Sequence, residues 1–208
     1  MRFTGAVSTL LVTAHPDRDS LTAALARRLR EELGPDGVET ADLDAEGFDP
    51  RFGAADRDRY RGVGPVPDDV LREQRRLDGV DHLVLVFPVY WWSMPALLKG
   101  WIDRVFLAGW AFDIDPVHGT QRRLGALTVH LVLVAGDSAG TYERHGYEQA
   151  LLTQIQHGII DYCGARRGGA VFVHESERED DASRRAAVED AVERTVEAIR
   201  ADPPAALR

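Results

Sequence analysis

The chain has 208 residues, of which 44% are hydrophobic, and a formal net charge of −9. This length fits a single domain over residues 1–208 with a full core, and the negative charge argues against a sequence-independent grip on nucleic-acid phosphates. A single cysteine, Cys163, excludes an intrachain disulfide framework and a multi-cysteine metal site, and it suits a reducing cytoplasm. The histidines show no metal-ligand spacing, and no apolar run is long enough to predict a membrane-spanning helix.

Short apolar runs alternate with helical patterns along the chain. Strands are predicted over residues 7–14, 37–43, 81–86, 126–135 and 169–174. Helices are predicted from residue 20, over 68–77, from residue 95, and over 147–162 and 183–200, with a long polar connection at 44–67. This alternation predicts a parallel sheet covered by helices on both faces. Because the first turn lacks G-x-G-x-x-G, a flavodoxin-like α/β three-layer sandwich, with five parallel strands in the order 2-1-3-4-5, is favoured over the dinucleotide-binding order.

The turn after the first strand, AHPDRDSLTAAL, has the features of an anion site. Ser20 is a suitable helix N-cap, and the backbone N–H groups of Ser20, Leu21 and Thr22 lie at the start of a helix. His15 and Arg18 add side chains that can carry positive charge. The pattern predicts a phosphate cradle, and a capped helix with a polar lead-in is the alternative interpretation.

The turn after the third strand, FPVYWWSMPALLKGW, places three aromatic residues in a row. At the mouth of an α/β sheet, Tyr90, Trp91 and Trp92 can form a wall for a flat ring. The backbone from Pro88 and Val89 onward can face the polar edge of such a ring. Partly buried packing or a subunit interface would also account for the two tryptophans.

The turn after the fourth strand, VAGDSAGTYERHGY, contains three glycines. Glycine lets the backbone approach a ligand closely, and Tyr142, His145 and Glu148 are candidate proton donors beside it. A flexible loop with surface polar groups is the alternative. In a doubly wound sheet these three turns share the carboxyl edge, where ligands bind. A phosphate cradle, an aromatic wall and a glycine loop at one edge together predict a flavin site.

A long run in the middle of the chain resembles a known enzyme family. Residues 87–112, FPVYWWSMPALLKGWIDRVFLAGWAF, are similar to the P-x-x-W-x-x-x-P-A-x-L-K-G-W-x-D-R-V-F signature of flavodoxin-fold NAD(P)H:quinone oxidoreductases. That family includes drug-activity modulators and ancillary oxidoreductases of potassium-efflux systems. The segments AHPDRDSLTAAL, DLDAEGFDPRF and HGIIDYCG are similar to further parts of the family, so the resemblance covers residues 10–173.

The resemblance implies roles for the residues of the three turns. His15, Ser20, Leu21 and Thr22 would hold the flavin phosphate, with Arg18 beside them. The residues that would frame the isoalloxazine ring are Pro88, Val89, Tyr90, Trp91 and Trp92, and those of the loop at its pyrimidine side are Val134, Ala135, Gly136 and Asp137. Tyr142 would face the substrate, with His145 or Glu148 as a second proton-handling group.

The same resemblance implies an activity. The enzyme would bind FAD, or FMN as the alternative, and would pass a hydride from NAD(P)H through the flavin to a quinone or similar acceptor with ping-pong kinetics. A cytoplasmic homodimer is expected, with contacts from the helix at Pro95 and the connection 44–67, and peripheral membrane contact is left open. A flavodoxin-type electron carrier, a redox-sensing ancillary subunit of a membrane transporter and a flavin-free structural relative are the alternatives.

The chain departs from the family pattern at the third turn and at one position of the first. Val134 and Ala135 replace two threonines, and Asp137 stands where a glycine is usual; near a flavin its carboxylate would disfavour the anionic reduced form. His145 precedes the usual position of a histidine, to which Glu148 is nearer. Thr22 stands where some FAD-binding members carry asparagine, so FAD and FMN both stay open.

Overall fold

The computed structural model describes residues 8–178 and 180–202. The strands in these ranges are β1 (Thr9–Thr13), β2 (Val38–Asp42), β3 (His82–Pro88), β4 (Phe112–Asp115), β5 (Gly119–Arg122), β6 (Thr128–Val134) and β7 (Arg166–Val173). The helices are α1 (Leu21–Leu33), α2 (Ala54–Tyr60), α3 (Asp68–Asp78), α4 (Ala96–Val105), α5 (Ala139–His145), α6 (Tyr147–Leu152) and α7 (Asp181–Ala201). A 3-10 turn at Pro35–Gly37 and a π-helix at Thr153–Asp161 complete the set.

The main sheet has five parallel strands in the order β2-β1-β3-β6-β7, which confirms the predicted flavodoxin-like topology. All seven residues of β3 and of β6 are buried, as expected for central strands covered on both faces. Because side chains alternate along a strand, Leu83, Leu85 and Phe87 join one apolar cluster while Val84 and Val86 join the other. The first cluster includes residues of α4 and α6, and the second includes residues of α1 and α7.

Several predicted segments differ from the structure in detail. The third turn is not an extended glycine loop, because α5 forms within it, and the helix predicted over 147–162 is α6 followed by the π-helix. Pro95 is the N-cap of α4 rather than its first helical residue. The antiparallel hairpin of β4 and β5 was not predicted. Val7, placed in the first predicted strand, lies outside the described residues.

The connection predicted over 44–67 contains α2. Buried Arg104 of α4 forms hydrogen bonds that hold this connection against the subunit. The Arg104 guanidinium donates from Nε to Asp56 Oδ1 (2.9 Å) and from Nη1 to Asp69 Oδ2 (2.6 Å). It also donates to the backbone oxygen of Asp49 (2.7 Å) and lies over the Phe48 ring, 5.2 Å from its centroid. These bonds satisfy an arginine that burial would otherwise penalise. The connection is therefore an ordered part of the subunit.

Candidate active site

The three unusual turns follow the carboxyl ends of neighbouring strands. β1, β3 and β6 are adjacent in the sheet, so the segments after Thr13, Pro88 and Val134 leave the same edge. The second turn is tied directly to the third, because the Val89 N–H donates to the Val134 oxygen (2.8 Å). The predicted meeting of the turns at one edge of the sheet is therefore confirmed for the strands that carry them.

The first turn is held in shape by its own polar groups. His15 is half-buried, and its Nδ1 accepts a hydrogen bond from the Asp17 N–H (3.0 Å). A neutral His15 must then carry its proton on Nε2, which leaves a donor on the other side of the ring. Asp17 Oδ1 accepts from the Asp19 N–H (2.8 Å), so this carboxylate is engaged within the loop. Arg18 lies exposed at the tip of the turn.

The start of α1 offers free donors. Ser20 is the N-cap, and its Oγ accepts from the Ala23 N–H (3.2 Å), which leaves its hydroxyl proton available. The first intrahelical bond runs from the Ala24 N–H to the Ser20 oxygen (2.9 Å). The N–H groups of Leu21 and Thr22 precede that bond and have no acceptor within the helix, although the Thr22 side chain is buried. Unpaired donors at a positive helix end can hold a phosphate.

The second turn is a tight hairpin with two tryptophans at its centre. Tyr90 and Ser93 exchange backbone hydrogen bonds of 3.0 Å in both directions. Trp91 and Trp92 have φ values of 48° and 60°, so both are in the left-handed region that favours glycine or asparagine. Such a conformation costs roughly 1–2 kcal/mol per residue, and strain of this kind is concentrated at functional sites. Trp91 is 93% exposed, so burial within the subunit does not repay that cost.

Trp92 connects the second turn to the third. Its ring stacks on Tyr147 with centroids 3.8 Å apart and an interplanar angle of 13°. It also meets the Tyr142 ring edge-on at 5.5 Å. One face of Trp92 is therefore covered by a protein ring, whereas Trp91 and Tyr90 remain exposed. The wall formed by all three aromatic residues stays a prediction.

The third turn is organised by α5. Ser138 is the N-cap, and Gly146 ends the helix in the left-handed conformation at φ 67°. Asp137 is exposed, and its Oδ1 accepts from the Ser138 N–H (2.7 Å). That backbone hydrogen bond, together with the Thr141 side chain, lowers the pKa of Asp137. Asp137, which stands where the family usually has a glycine, is thus ionised, and its carboxylate is hydrogen-bonded to the start of α5.

Tyr142 sits at the centre of an aromatic cluster. The side chain is 2% exposed, and its ring contacts those of Trp92, Phe172 and His174 at centroid distances of 5.5, 5.9 and 4.9 Å. Burial, followed by the charge of Asp137, raises the pKa of Tyr142 to about 12. The phenol therefore keeps its proton at neutral pH and can act there as a hydrogen-bond donor.

The two other candidate proton donors lie outside this cluster. His145 is exposed and stacks on Tyr147, with centroids 5.1 Å apart and an interplanar angle of 24°. Glu148 is exposed in the first turn of α6. The rings of Trp92 and Tyr142 are therefore in direct contact, whereas the ring of His145 contacts that of Tyr147.

Comparison with known proteins decides the family. The flavodoxin-like fold family matches residues 8–196. Ribosyldihydronicotinamide dehydrogenase (quinone) from Mus musculus is 33% identical over 179 residues, covering 74% of this chain and 76% of that protein. The chain belongs to the flavodoxin-like NAD(P)H:quinone oxidoreductase family. It is therefore an oxidoreductase, as its sequence predicted.

Solved structures agree with this membership. A putative quinone reductase from Klebsiella pneumoniae has a TM-score of 0.83 and 25% identity, covering 97% of this chain and 88% of that chain. General stress protein 14 from Treponema denticola, in complex with FMN, has a TM-score of 0.66 and 23% identity over 93% of this chain and 98% of that chain. Both share the fold, and relatives that reduce quinones are consistent with flavin-dependent quinone reduction.

Sequence reasoning missed part of this oxidoreductase's site edge. The first residues after β7 pack against the third turn. The Glu175 N–H donates to the Asp137 oxygen, and the Ser176 N–H donates to the Ala135 oxygen, each at 3.0 Å. The sequence did contain a signal for this contact. The segment directly follows the fifth predicted strand, which is β7, and it therefore leaves the same edge of the sheet as the three turns.

Cys163 is packed at the end of a helix. It is buried after the π-helix, and burial raises the pKa of its thiol to about 11. In residues 8–178 and 180–202, no group of three or more His, Cys, Asp or Glu side chains is arranged to hold a metal ion. Within those same ranges, no helix has both the length and the apolar character needed to cross a membrane.

Proposed function

We propose that this enzyme carries two electrons from NAD(P)H to a quinone-like acceptor through a tightly bound flavin, with ping-pong kinetics. The observation that carries the proposal is the ring contact between Trp92 and Tyr142, at an edge that also holds the free donors of α1. The flavin would supply the two-electron chemistry, which no side chain of the protein can perform. The protein would bind it, orient it and control protons around it.

The α1 start fits the flavin phosphate. The N–H groups of Leu21 and Thr22, the hydroxyl of Ser20 and the outward Nε2–H of His15 are the donors available for it. Arg18 adds a positive charge at the exposed tip. FAD is the cofactor we propose; FMN has the same ring and the same first phosphate, and it is the flavin of the Treponema denticola relative.

The second and third turns fit the ring of the flavin. Exposed Trp91 and Tyr90 offer apolar faces, and the strained backbone after Pro88 and Val89 brings its polar groups to the sheet edge. Beyond β6, the backbone of Ala135, Gly136 and Asp137 borders the same edge. A Cβ on Gly136 would lie 3.4 Å from Glu177 Oε1, so the Glu177 side chain borders this loop.

Tyr142 is the group we propose to face the acceptor. A phenol that keeps its proton can donate a hydrogen bond to a quinone oxygen as negative charge develops there. Trp92 and Tyr147 stack beside it and present a flat apolar surface suited to a flat acceptor. Tyr142→Phe should slow turnover modestly and leave the flavin bound, because the phenol is not needed to hold the cofactor.

We further propose a homodimer with the site near the subunit interface. The connection at residues 44–67 carries the exposed apolar side chains Phe52, Tyr60 and Val63. The hairpin of β4 and β5 carries two more, Ile114 and Val117. Exposed apolar groups of this kind mark interfaces. The apolar residues of α4, the other predicted contact, are mostly buried within their own subunit, so the connection is the stronger candidate.

Light scattering tests the dimer. Replacing Tyr60 and Val63 together by Asp should yield monomers, because the interface would then bury charge without a partner. Arg57→Asp, which alters charge on the same helix without removing an apolar side chain, should stay dimeric. A wild-type protein that is monomeric at micromolar concentration would contradict this part of the proposal.

An absorbance spectrum of the purified protein, with mass identification of the released flavin, tests the function. We expect a flavin spectrum, NAD(P)H oxidation with menadione, and parallel lines in double-reciprocal plots. Ser20→Ala should weaken flavin binding about tenfold through the loss of phosphate contacts. Asp180→Ala, which removes the N-cap of α7 in the same way, is the matched control and should bind flavin normally.

The alternatives give different results in that experiment. Colourless protein that refuses both FMN and FAD would identify a flavin-free relative and overturn the proposal. Single-electron exchange with a partner protein, without quinone turnover, would identify an electron carrier. Activity that depends on a co-purifying transporter would identify an ancillary subunit. We propose a cytoplasmic location from the single cysteine, and cell fractionation tests it.

A further inference from the structure

The aromatic hairpin after β3 is held from the side by the start of α6. Trp92 lies in this hairpin, and its ring stacks face to face on that of Tyr147, with centroids 3.8 Å apart and an interplanar angle of 13°. The ring of Tyr142 meets Trp92 at 5.5 Å and Tyr147 at 6.1 Å, edge-on in both cases. The three rings therefore form a closed group of mutual contacts.

The hairpin needs this support because its backbone is strained. Trp91 and Trp92 both have a left-handed φ, at 48° and 60°, as the two central residues of a type I′ turn require. Such turns favour asparagine and glycine, so the two tryptophans stand here against local preference. Trp91 is exposed, and the contacts that offset the strain therefore come from Trp92 and from the ends of the hairpin.

A second contact reaches the hairpin from the same helical segment. Ser93 Oγ donates to Gln154 Oε1 (2.7 Å), at the start of the π-helix that continues α6. Tyr147 and Gln154 are seven residues apart, which is about two helical turns, so they lie on the same side of the segment. Tyr147 and Gln154 together form a hairpin clamp, in which one side chain holds a ring and the other holds a hydroxyl.

The hairpin clamp is anchored to the core of the subunit. Leu151 of α6 is fully buried, and it belongs to the same apolar cluster as Phe87 of β3, the strand that leads into the hairpin. Gly146 has a left-handed φ of 67°, and at this residue the chain turns from α5 into α6. That turn brings Tyr142 of α5 and Tyr147 of α6 to the same tryptophan ring.

A fixed Trp92 ring matters for binding of the acceptor. Trp92 contacts Tyr142, the residue proposed to donate to the acceptor oxygen, so its ring borders the place proposed for the acceptor. A ring already held in one orientation gives a preformed flat wall, whereas a free ring would lose conformational freedom each time an acceptor bound. Tyr147 can therefore act on the acceptor through Trp92 without touching it.

We propose that Tyr147 is a positioning residue of the acceptor site, that Gln154 assists it, and that the hairpin clamp sets the affinity for flat ring acceptors. The inference rests on the proposed function. The wall contributes equally to binding before and during the reaction, because the clamp takes no part in proton or hydride transfer. Its loss should therefore raise the KM for the acceptor and leave kcat nearly unchanged.

Steady-state kinetics of the flavin-loaded enzyme with menadione measures this difference between KM and kcat. Tyr147→Leu removes the stacked ring and should raise the KM for menadione about fivefold, within the range that one aromatic pair contributes, with kcat within about twofold of wild type. Tyr147→Phe keeps the ring and should keep the wild-type KM, since the stack does not use the hydroxyl. Tyr147→Met, which keeps side-chain length without a ring, is the second variant if Tyr147→Leu fails to fold.

The two glutamines of this segment give a matched pair. Gln154→Ala should raise the KM about twofold, because it removes one exposed hydrogen bond to the hairpin. Gln149→Ala removes a glutamine whose Nε2 donates to Thr153 Oγ1 (3.0 Å) within the helical segment instead. It is the control and should keep the wild-type KM.

NMR of the flavin-free protein tests the contact separately from the function. The indole Nε1–H resonance of Trp92 should shift in Tyr147→Leu, because the ring current of its stacked neighbour is removed, and it should stay in place in Gln149→Ala. Trp101 is fully buried, and its Nε1–H donates to Glu73 Oε2 (3.0 Å). Its resonance should stay in place in every variant, which shows that the core is still folded.

Three outcomes would overturn the proposal: a KM for menadione within twofold of wild type in Tyr147→Leu, an equal rise in Tyr147→Phe, and an unshifted Trp92 resonance. A fall in kcat with an unchanged KM would place Tyr147 in the chemical step and would also contradict it. A wild type that reduces no quinone contradicts the proposed function instead, and the Trp92 resonance then still decides whether Tyr147 holds the hairpin.

Discussion

The two ends of the parallel sheet differ in how they place large and polar side chains. At the carboxyl end, Trp91 is exposed in a strained turn and His174 keeps a buried nitrogen without a partner. At the amino end, His82 and His130 are fully buried and bonded to one another, with their Nδ1 and Nε2 atoms 3.0 Å apart. Left-handed backbone at residues other than glycine, namely Trp91, Trp92 and Glu175, is thus found at the edge where a ligand is proposed to bind. Buried polar atoms without a hydrogen-bond partner among the described residues occur at both ends, with His82 Nε2 at the amino end.

Two glycines of β7, Gly168 and Gly169, leave space for the ring of His130. His130 Nδ1 accepts from the Gly169 N–H (3.1 Å), and the register between β6 and β7 shifts at this point. A Cβ on Gly168 would lie 2.5 Å from the His130 ring. The bulge and the two glycines therefore make room for the His130 imidazole between β6 and β7.

The largest expected effect comes from filling that space. Gly168→Ala should lower the free energy of unfolding by about 3 kcal/mol, because the ring must shift and its bond to Gly169 is lost. Urea unfolding measures the change. Adding His130→Val should restore much of the loss in a double-mutant cycle, since the smaller side chain leaves room for the new methyl group. Additive losses would show that the ring is not what excludes a side chain at Gly168.

The pH dependence of stability tests the same histidine pair at the amino end of the sheet. Burial, and then the charge of His82, lowers the pKa of His130 to about 4 from its ordinary value of 6.5. Between these values the unfolded chain binds more protons than the folded one, so stability is complete above pH 6.5 and falls as the pH drops toward 4. We expect a loss of about 2 kcal/mol between pH 7.5 and 5.

The matched control is the double variant His82→Leu with His130→Val, which removes both imidazoles. Its stability should fall by about 2 kcal/mol less than that of wild type over the same pH range, because the carboxylates that remain are the same in both proteins. Parallel pH curves for the two proteins would show that the pair does not titrate as described.

This contrast also separates what the sequence could predict from what it could not. Periodicity was enough for the five strands of the main sheet, because their apolar runs and the helices between them follow simple spacing rules. It gave no sign that His130 enters the sheet, since that depends on a bulge and on glycines in a strand distant in sequence. The hairpin of β4 and β5 is short and exposed, so it lacks the alternation that marks a strand.

The edge of the sheet that carries the candidate residues could be predicted from topology, but the contacts among those residues could not, for a related reason. Residues at strand ends, such as Ser20 and Tyr142, could be assigned to one edge from topology alone. Which rings touch depends on the left-handed turn at Trp91 and on the path of the chain after β7, and neither follows from local pattern. The ring contact between His174 and Tyr142 was therefore not predicted, although His174 ends a predicted strand.

At the carboxyl end, stability and binding should change in opposite directions. Trp91→Asn should stabilise the flavin-free subunit by about 1 kcal/mol, because asparagine tolerates a left-handed φ in a tight hairpin. The same variant should bind flavin more weakly, since an exposed apolar face is lost. Tyr90→Asn, the neighbouring change outside the strained positions, should give no gain. Thermal unfolding and flavin titration measure the two effects, and a destabilised Trp91→Asn would contradict the assigned strain.

The smallest expected effect concerns the charge at Asp137. A carboxylate near the flavin disfavours the anionic reduced form, so Asp137→Asn should raise the midpoint potential. Because the group is exposed and bonded to the Ser138 N–H, the rise should be only about 10–20 mV and should shrink in high salt. Glu143→Gln, which neutralises an exposed acid elsewhere on α5, should leave the potential unchanged. A lowered potential in Asp137→Asn would mean that the carboxylate acts chiefly by ordering the start of α5 rather than through its charge.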